Sequence, residues 1–218
     1  MLRAALYITV GWLLIAAVAG LGHSLGLTVM LPASSVVLLV HMAFSGDGGG
    51  ELEGEGEPQP GLHRPPLAAD LAVAIALGYL EDIHQSQLAG TLSLAHGLTF
   101  LVLRWASYRI AITRVGARAV VTLAAALLVD LITVGLLTLT APRVGLQRAS
   151  LLASAGGNLH WHALATALAM PAIWALVGAC FRLARRLQSA SPRPQAPIVR
   201  GARPRRPPKL PRHPKPPS

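Results

Sequence analysis

Six apolar runs recur along this 218-residue chain, separated by short polar stretches. They occupy residues 5–21, 25–44, 67–80, 88–105, 119–140 and 163–181. A helix that crosses a bilayer needs about 20 mostly apolar residues, because the hydrocarbon layer is about 30 Å thick and each residue rises about 1.5 Å. Closed barrels alternate apolar and polar residues along each strand, and these runs do not. The pattern predicts an all-α integral membrane protein with six transmembrane helices. The run at 67–80 is the shortest.

Charge is scarce and unevenly placed. Only 13% of the residues are charged, against 53% hydrophobic, yet the net charge is +10. Soluble domains carry about 25% charged residues. The basic residues crowd the C-terminal tail and one loop, while the remainder is lipid-like. Membrane lipid is therefore the expected partner of the positive charge, and no nucleic acid is expected. The single cysteine, Cys180, lies in an apolar run; it excludes an intrachain disulfide and is read as packing. The first run has signal-peptide features (Arg3, an apolar core and small residues at 16–20), but a second apolar run follows closely. A hairpin of two retained helices fits better.

Lysine and arginine placement sets the orientation. With six spans and the N-terminus inside, only Arg143 and Arg148 of the 19 lysines and arginines fall outside. The reverse orientation exposes nearly all of them. Both termini are thus expected in the cytoplasm, and the arginines at 104, 109, 114 and 118 support the same reading without the tail.

Two segments depart from the lipid-like pattern. Residues 45–66 are acidic and Gly-rich, and read as a disordered cytoplasmic loop inside a six-span domain at 1–188. Glu51, Glu53, Glu55 and Glu57 alternate with small residues, but calcium sites need fixed geometry and more varied oxygen ligands. Residues 189–218 are rich in proline and arginine, which forbids a helix and predicts a disordered cytoplasmic tail. That tail either hugs anionic lipid or docks a cytoplasmic partner. Before the sixth run, residues 141–162 are too polar to span and suit a short interfacial helix, with Trp161 as an interface anchor.

The most polar stretch between apolar runs is GYLEDIHQSQLAGTLSLAHGL, residues 78–98. Glu81 and Asp82 are candidates for a catalytic pair. Paired-carboxylate chemistry needs two acids facing one substrate, whereas adjacent residues on a helix point about 100° apart. The better reading is a polar lip in contact with headgroups and water, where one helix leaves the bilayer and the next returns.

This stretch resembles the central part of the MreD family of rod shape-determining membrane proteins. The resemblance rests on Gly78, Asp82 and Gly90, with Ser93, His96 and Gly97 beyond, and on a closing helix with a central proline and a basic stop. Six short spans in order extend it over most of residues 1–187. The acidic loop and the long tail depart from the family pattern and put contacts on the inner face in doubt. The resemblance implies a fold like that of the substrate-binding subunits of energy-coupling-factor transporters. It also implies a non-enzymatic scaffold of the bacterial cell-elongation complex, which helps maintain rod shape and direct lateral peptidoglycan synthesis at the cytoplasmic membrane. The partners it implies are an MreC-like periplasmic protein, the MreB filament, and RodA with its paired transpeptidase. The chief alternative is a substrate-binding subunit of a vitamin transporter, with Glu81, Asp82, His84, Asn158, His160, Trp161 and His162 around an outer-face pocket. No catalytic residue, metal ligand or cofactor site is expected.

Two structural expectations complete the reading. Ala16 with Gly20, and Ala165 with Ala169, are small-xxx-small pairs that allow close helix approach in lipid. Asp130 lies near the middle of the fifth run, where an acid costs roughly 2.5–3.5 kcal/mol on insertion scales. It is expected to face the bundle and pair with His96 at the same depth, with Thr133 or Ser93 as auxiliary partners.

Overall fold

Pro32 decides where the second helix begins. A proline disfavours helical backbone in the residue before it and supplies no N–H, so the apolar run at 25–44 does not form one helix. In the computed structural model the first helix, α1, spans Leu2–Leu25, and the second, α2, is confined to Ser34–Phe44. The structure describes residues 2–26, 31–44, 67–85, 89–110, 112, 114–141 and 147–190. The acidic segment at 45–66 and residues 191–218 of the tail lie outside them.

Among the described residues there are six α-helices and no strand. The remaining four are α3 (Leu67–Gln85), α4 (Thr91–Ser107), α5 (Val115–Thr140) and α6 (Arg148–Ala190). Three of the six contain stretches long and apolar enough to cross a membrane: Leu2–Ser24, Val115–Thr140 and Leu159–Ala184. The chain divides into two units, Met1–Arg182 and Leu183–Ser218. The bundle described below belongs to the first.

Contacts fix the direction of neighbouring helices. On α1 and α2, Tyr7 meets His41 while Gly11 sits beside Leu38, so the two run antiparallel. On α3 and α4, Gly78 lies against Leu92 while Gly97 lies against Ile75 and Leu71, again antiparallel. The α3–α4 hairpin has the most extensive interface, and α4 also packs on α2 and α5.

α2 is the centre of the bundle. Every residue from Ser34 to Ala43 is buried, including Val36, Leu38, Leu39 and Val40. A helix that is apolar all round belongs where other helices cover every face. At 11 residues it extends only about 16 Å. Around it, α5 contributes Thr122, Ala125, Ala126, Val129 and Thr133, and α6 contributes Ala163, Thr166, Met170, Ile173 and Val177. Both sets recur at three- and four-residue spacing, the mark of one buried helical stripe.

Two expectations about helix packing need correction. Gly20 is exposed, and a methyl group there meets nothing within 4 Å. The close approach on α1 is at Gly11 instead, where an added methyl would run into the Leu77 side chain. Ala16 and Ala165 are half-buried, and Ala169 packs at the edge of the core. The interfacial helix expected within 141–162 is not separate: from Arg148 onward those residues belong to α6, which continues through Pro171. Residues 142–146 lie outside the described residues.

Candidate functional site

Polar side chains gather at the end of the bundle where α3 turns into α4. Asp82, in the last turn of α3, caps the next helix. Its carboxylate accepts the backbone N–H of Gly90 at 2.9 Å, of Leu92 at 3.0 Å and of Ser93 at 3.3 Å. The Ser93 hydroxyl donates to it as well, at 3.3 Å. The first N–H groups of a helix have no intrahelical acceptor, and a carboxylate there also meets the positive end of the helix dipole. Gly90 precedes α4 with φ +94°, in the left-handed region that glycine adopts without a Cβ clash. Gly78, one turn before Asp82, lets the two backbones touch: a Cβ built on it would lie 2.5 Å from the Leu92 carbonyl oxygen. Gly78, Asp82 and Gly90 therefore act as one device that closes the hairpin.

Glu81 points elsewhere, as adjacency on a helix requires. It accepts a hydrogen bond from the Ser35 hydroxyl on α2 and lies 3.2 Å from His96 Nε2 on α4. His96 Nε2 is also 3.0 Å from Ser35 Oγ, and its Nδ1 is 2.8 Å from the Leu92 carbonyl oxygen. That oxygen only accepts, so Nδ1 carries a proton. Glu81, Ser35 and His96 thus join α3, α2 and α4. Both acids are buried, at 5% and 2% exposure, so the reading of an exposed polar lip is corrected: the carboxylates turn inward and satisfy groups within the bundle.

A second pair lies on α5 and α6. His162 Nδ1 is 2.9 Å from Asp130 Oδ2. The His162 ring is also within electrostatic reach of Glu81, so the pair borders the first group. The expected Asp130–His96 pair is not formed, because each residue has another partner. Asp130 does face the bundle, but the histidine it meets comes from α6. Thr133 makes no side-chain hydrogen bond among the described residues, and Ser93 serves Asp82 instead. Nearby, the Thr166 hydroxyl accepts the Ala33 N–H at 2.9 Å and so holds the start of α2 to α6.

The opposite end carries an aromatic group. The Tyr7 hydroxyl meets His41 Nδ1 at 2.8 Å, and the His41 ring lies 4.6 Å from Trp174 and 6.2 Å from Phe181. Arg3 lies over Tyr7 at 5.7 Å and Arg118 over Trp174 at 4.9 Å. Leu38, Leu39, Leu77 and Phe100 fill the layer between this group and the one around Ser35, all fully buried.

The group around Ser35 has the residue types of a hydrolytic triad but not its geometry. In a triad the carboxylate holds and orients one ring nitrogen while the other takes the serine proton. Here Ser35 and Glu81 both sit at Nε2, while Nδ1 is tied to its own helix. Ser35 is itself completely buried. Among the described residues, no three His, Cys, Asp or Glu side chains converge as metal ligands.

Of the seven residues proposed for an outer pocket, three are engaged by partners within the bundle. Glu81 and Asp82 are committed to α2 and α4, and His162 to Asp130. His84 and His160 are exposed, His84 lying 2.7 Å from the Leu80 carbonyl and His160 beside the half-exposed Trp161 ring. The Asn158 side chain lies outside the described residues. The bonds among Ser35, Glu81, Asp130 and His162 carried no sequence signal beyond the residue types, because they depend on how four helices are rotated.

Among the described residues, the fold and these interactions define an all-helical bundle with an internally paired polar end, three of whose helices are long and apolar enough to cross a membrane. The chain matches no known protein family, no curated protein and no solved structure.

Proposed function

We propose that this protein is a non-enzymatic membrane scaffold of the MreD type, acting in the bacterial cell-elongation complex. The observation that carries this reading is the self-sufficiency of the polar end. Asp82 binds the start of α4, Glu81 binds Ser35 and His96, and Asp130 binds His162. Polar groups in a binding or catalytic pocket are held available for a ligand. These are spent on joining helices, which is what a scaffold requires. The Gly78, Asp82 and Gly90 device coincides with the residues on which the resemblance to the MreD family rests.

In this reading all six helices lie in the cytoplasmic membrane, as in transporter substrate-binding subunits, with α2 sheltered by its neighbours. Both termini face the cytoplasm. Arg3 and Arg118, far apart in sequence, flank one aromatic group at the same end of the bundle, which supports a single basic inner face. The partners are an MreC-like periplasmic protein, the MreB filament, and RodA with its transpeptidase. Affinity purification from native membranes tests the reading. The scaffold brings down the MreC-like protein; a vitamin-transporter subunit would bring down transport ATPases instead.

A further inference from the structure

Among the described side chains, Arg104 is the only buried arginine. It sits in the last turn of α4 at 7% exposure. Its Nε is buried and has no hydrogen-bond partner among the described residues. Its one ring contact is Tyr108, 5.6 Å away. A buried donor of a charged group costs free energy when it has no acceptor, and a cation withdrawn from water is ordinarily paired.

The surroundings indicate the kind of acceptor. Trp105 and Tyr108, each 60% exposed, flank Arg104, and exposed Arg109 lies over the Trp105 ring at 4.6 Å. Tryptophan and tyrosine with an apolar body and a polar edge favour the headgroup level of a bilayer. Exposed Ile110 and Val115 continue that surface, and Arg114 beside them is exposed too. The first turn of α5 opens at this same end with no side-chain cap on its N–H groups, which favours an anion. The site therefore combines interfacial aromatics, several cations and an arginine whose Nε lacks an acceptor among the described residues.

We propose that the C-terminal end of α4 binds the phosphate of an anionic phospholipid, with Arg104 as the ligand and Arg109 at the rim. The planar fork of arginine matches phosphate oxygens in two-point contact. The inference rests on the reading that this end faces the cytoplasmic leaflet, where anionic lipid is concentrated. Thiol labelling at an Ala117→Cys position tests that orientation separately, so failure of one does not masquerade as failure of the other.

The test uses the full chain purified in mild detergent, with phosphatidylglycerol or phosphatidylcholine added at matched concentrations. Native mass spectrometry reads lipid retention, and thermal unfolding reads stabilisation. Phosphatidylglycerol should be retained one-to-one and raise the melting temperature, while phosphatidylcholine should do neither. Arg104→Gln should weaken retention about tenfold, the effect expected for losing hydrogen bonds to a charged group, and should abolish the thermal shift. Arg104→Lys keeps the charge, protects against loss of folding, and should retain lipid at an intermediate level because the fork is gone. Equal retention of the two lipids overturns the proposal, as does undiminished phosphatidylglycerol binding in Arg104→Gln. Equal stabilisation by inorganic phosphate also overturns it, because the site would then recognise free anion rather than lipid.

Discussion

The Asp82 carboxylate at the end of one helix accepts the Gly90 N–H at the start of the next, 2.9 Å away. With Leu92 and Ser93 also donating to it, this one side chain satisfies three backbone groups that the α4 helix cannot satisfy itself. Replacing Asp82 with Ala should leave those buried N–H groups without acceptors and cost about 2 kcal/mol or more. Asp82→Asn keeps one oxygen and should cost about half as much. Thermal unfolding in detergent measures both; equal stability of Asp82→Ala and native protein would remove the capping role.

Three glycines should respond to alanine in a fixed order. At Gly78 the obstacle is backbone, the Leu92 carbonyl and the Ser93 Cα at 2.8 Å, so the helices must separate. A loss of about 2–3 kcal/mol is expected, the upper range for overpacking. At Gly11 the obstacle is the movable tip of Leu77, and the loss should be smaller. Gly20 is open, so Gly20→Ala should be neutral or stabilising by up to about 1 kcal/mol through helix propensity. The order of the three melting temperatures checks the prediction.

Asp130 should couple to His162 and not to His96. Double-mutant cycles with leucine at each position measure this. The Asp130–His162 cycle should show a coupling of about 0.5–3 kcal/mol, whereas the Asp130–His96 cycle should be additive within about 0.5 kcal/mol. The reverse result would contradict the observed partners.

Orientation is checked by thiol accessibility in a Cys180→Ala background. His84→Cys at the exposed end of α3 should react with an impermeant reagent in intact spheroplasts. Ala117→Cys, exposed in the first turn of α5, should react only after lysis. The opposite pattern would invert the bundle.

Hydropathy located α1, α5 and the apolar part of α6 because those helices are long, apolar and little covered by the rest of the bundle. It misjudged α2, where Pro32 sets the start and burial by neighbours lets a short helix suffice. It also placed α4 three residues early, since the left-handed Gly90 rather than an apolar residue marks its start. The divergence of Glu81 and Asp82 was legible from helix geometry. Their burial was not, because it depends on α2 and α4 covering them. The partner of Asp130 was misassigned for a related reason. Depth along a span fixes position on the helix axis but not rotation about it, and two histidines lay within reach. His162 was assigned to the interface because the sixth span was read from residue 163.

Cell shape on depletion tests the scaffold reading most directly. On that reading, lowering this protein in its host should turn rods into rounded cells, and fluorescent cell-wall precursor should lose its lateral pattern before growth stops. Asp82→Ala at native expression should reproduce part of the defect. Rods that keep their shape and lateral incorporation after the protein has disappeared would contradict the account.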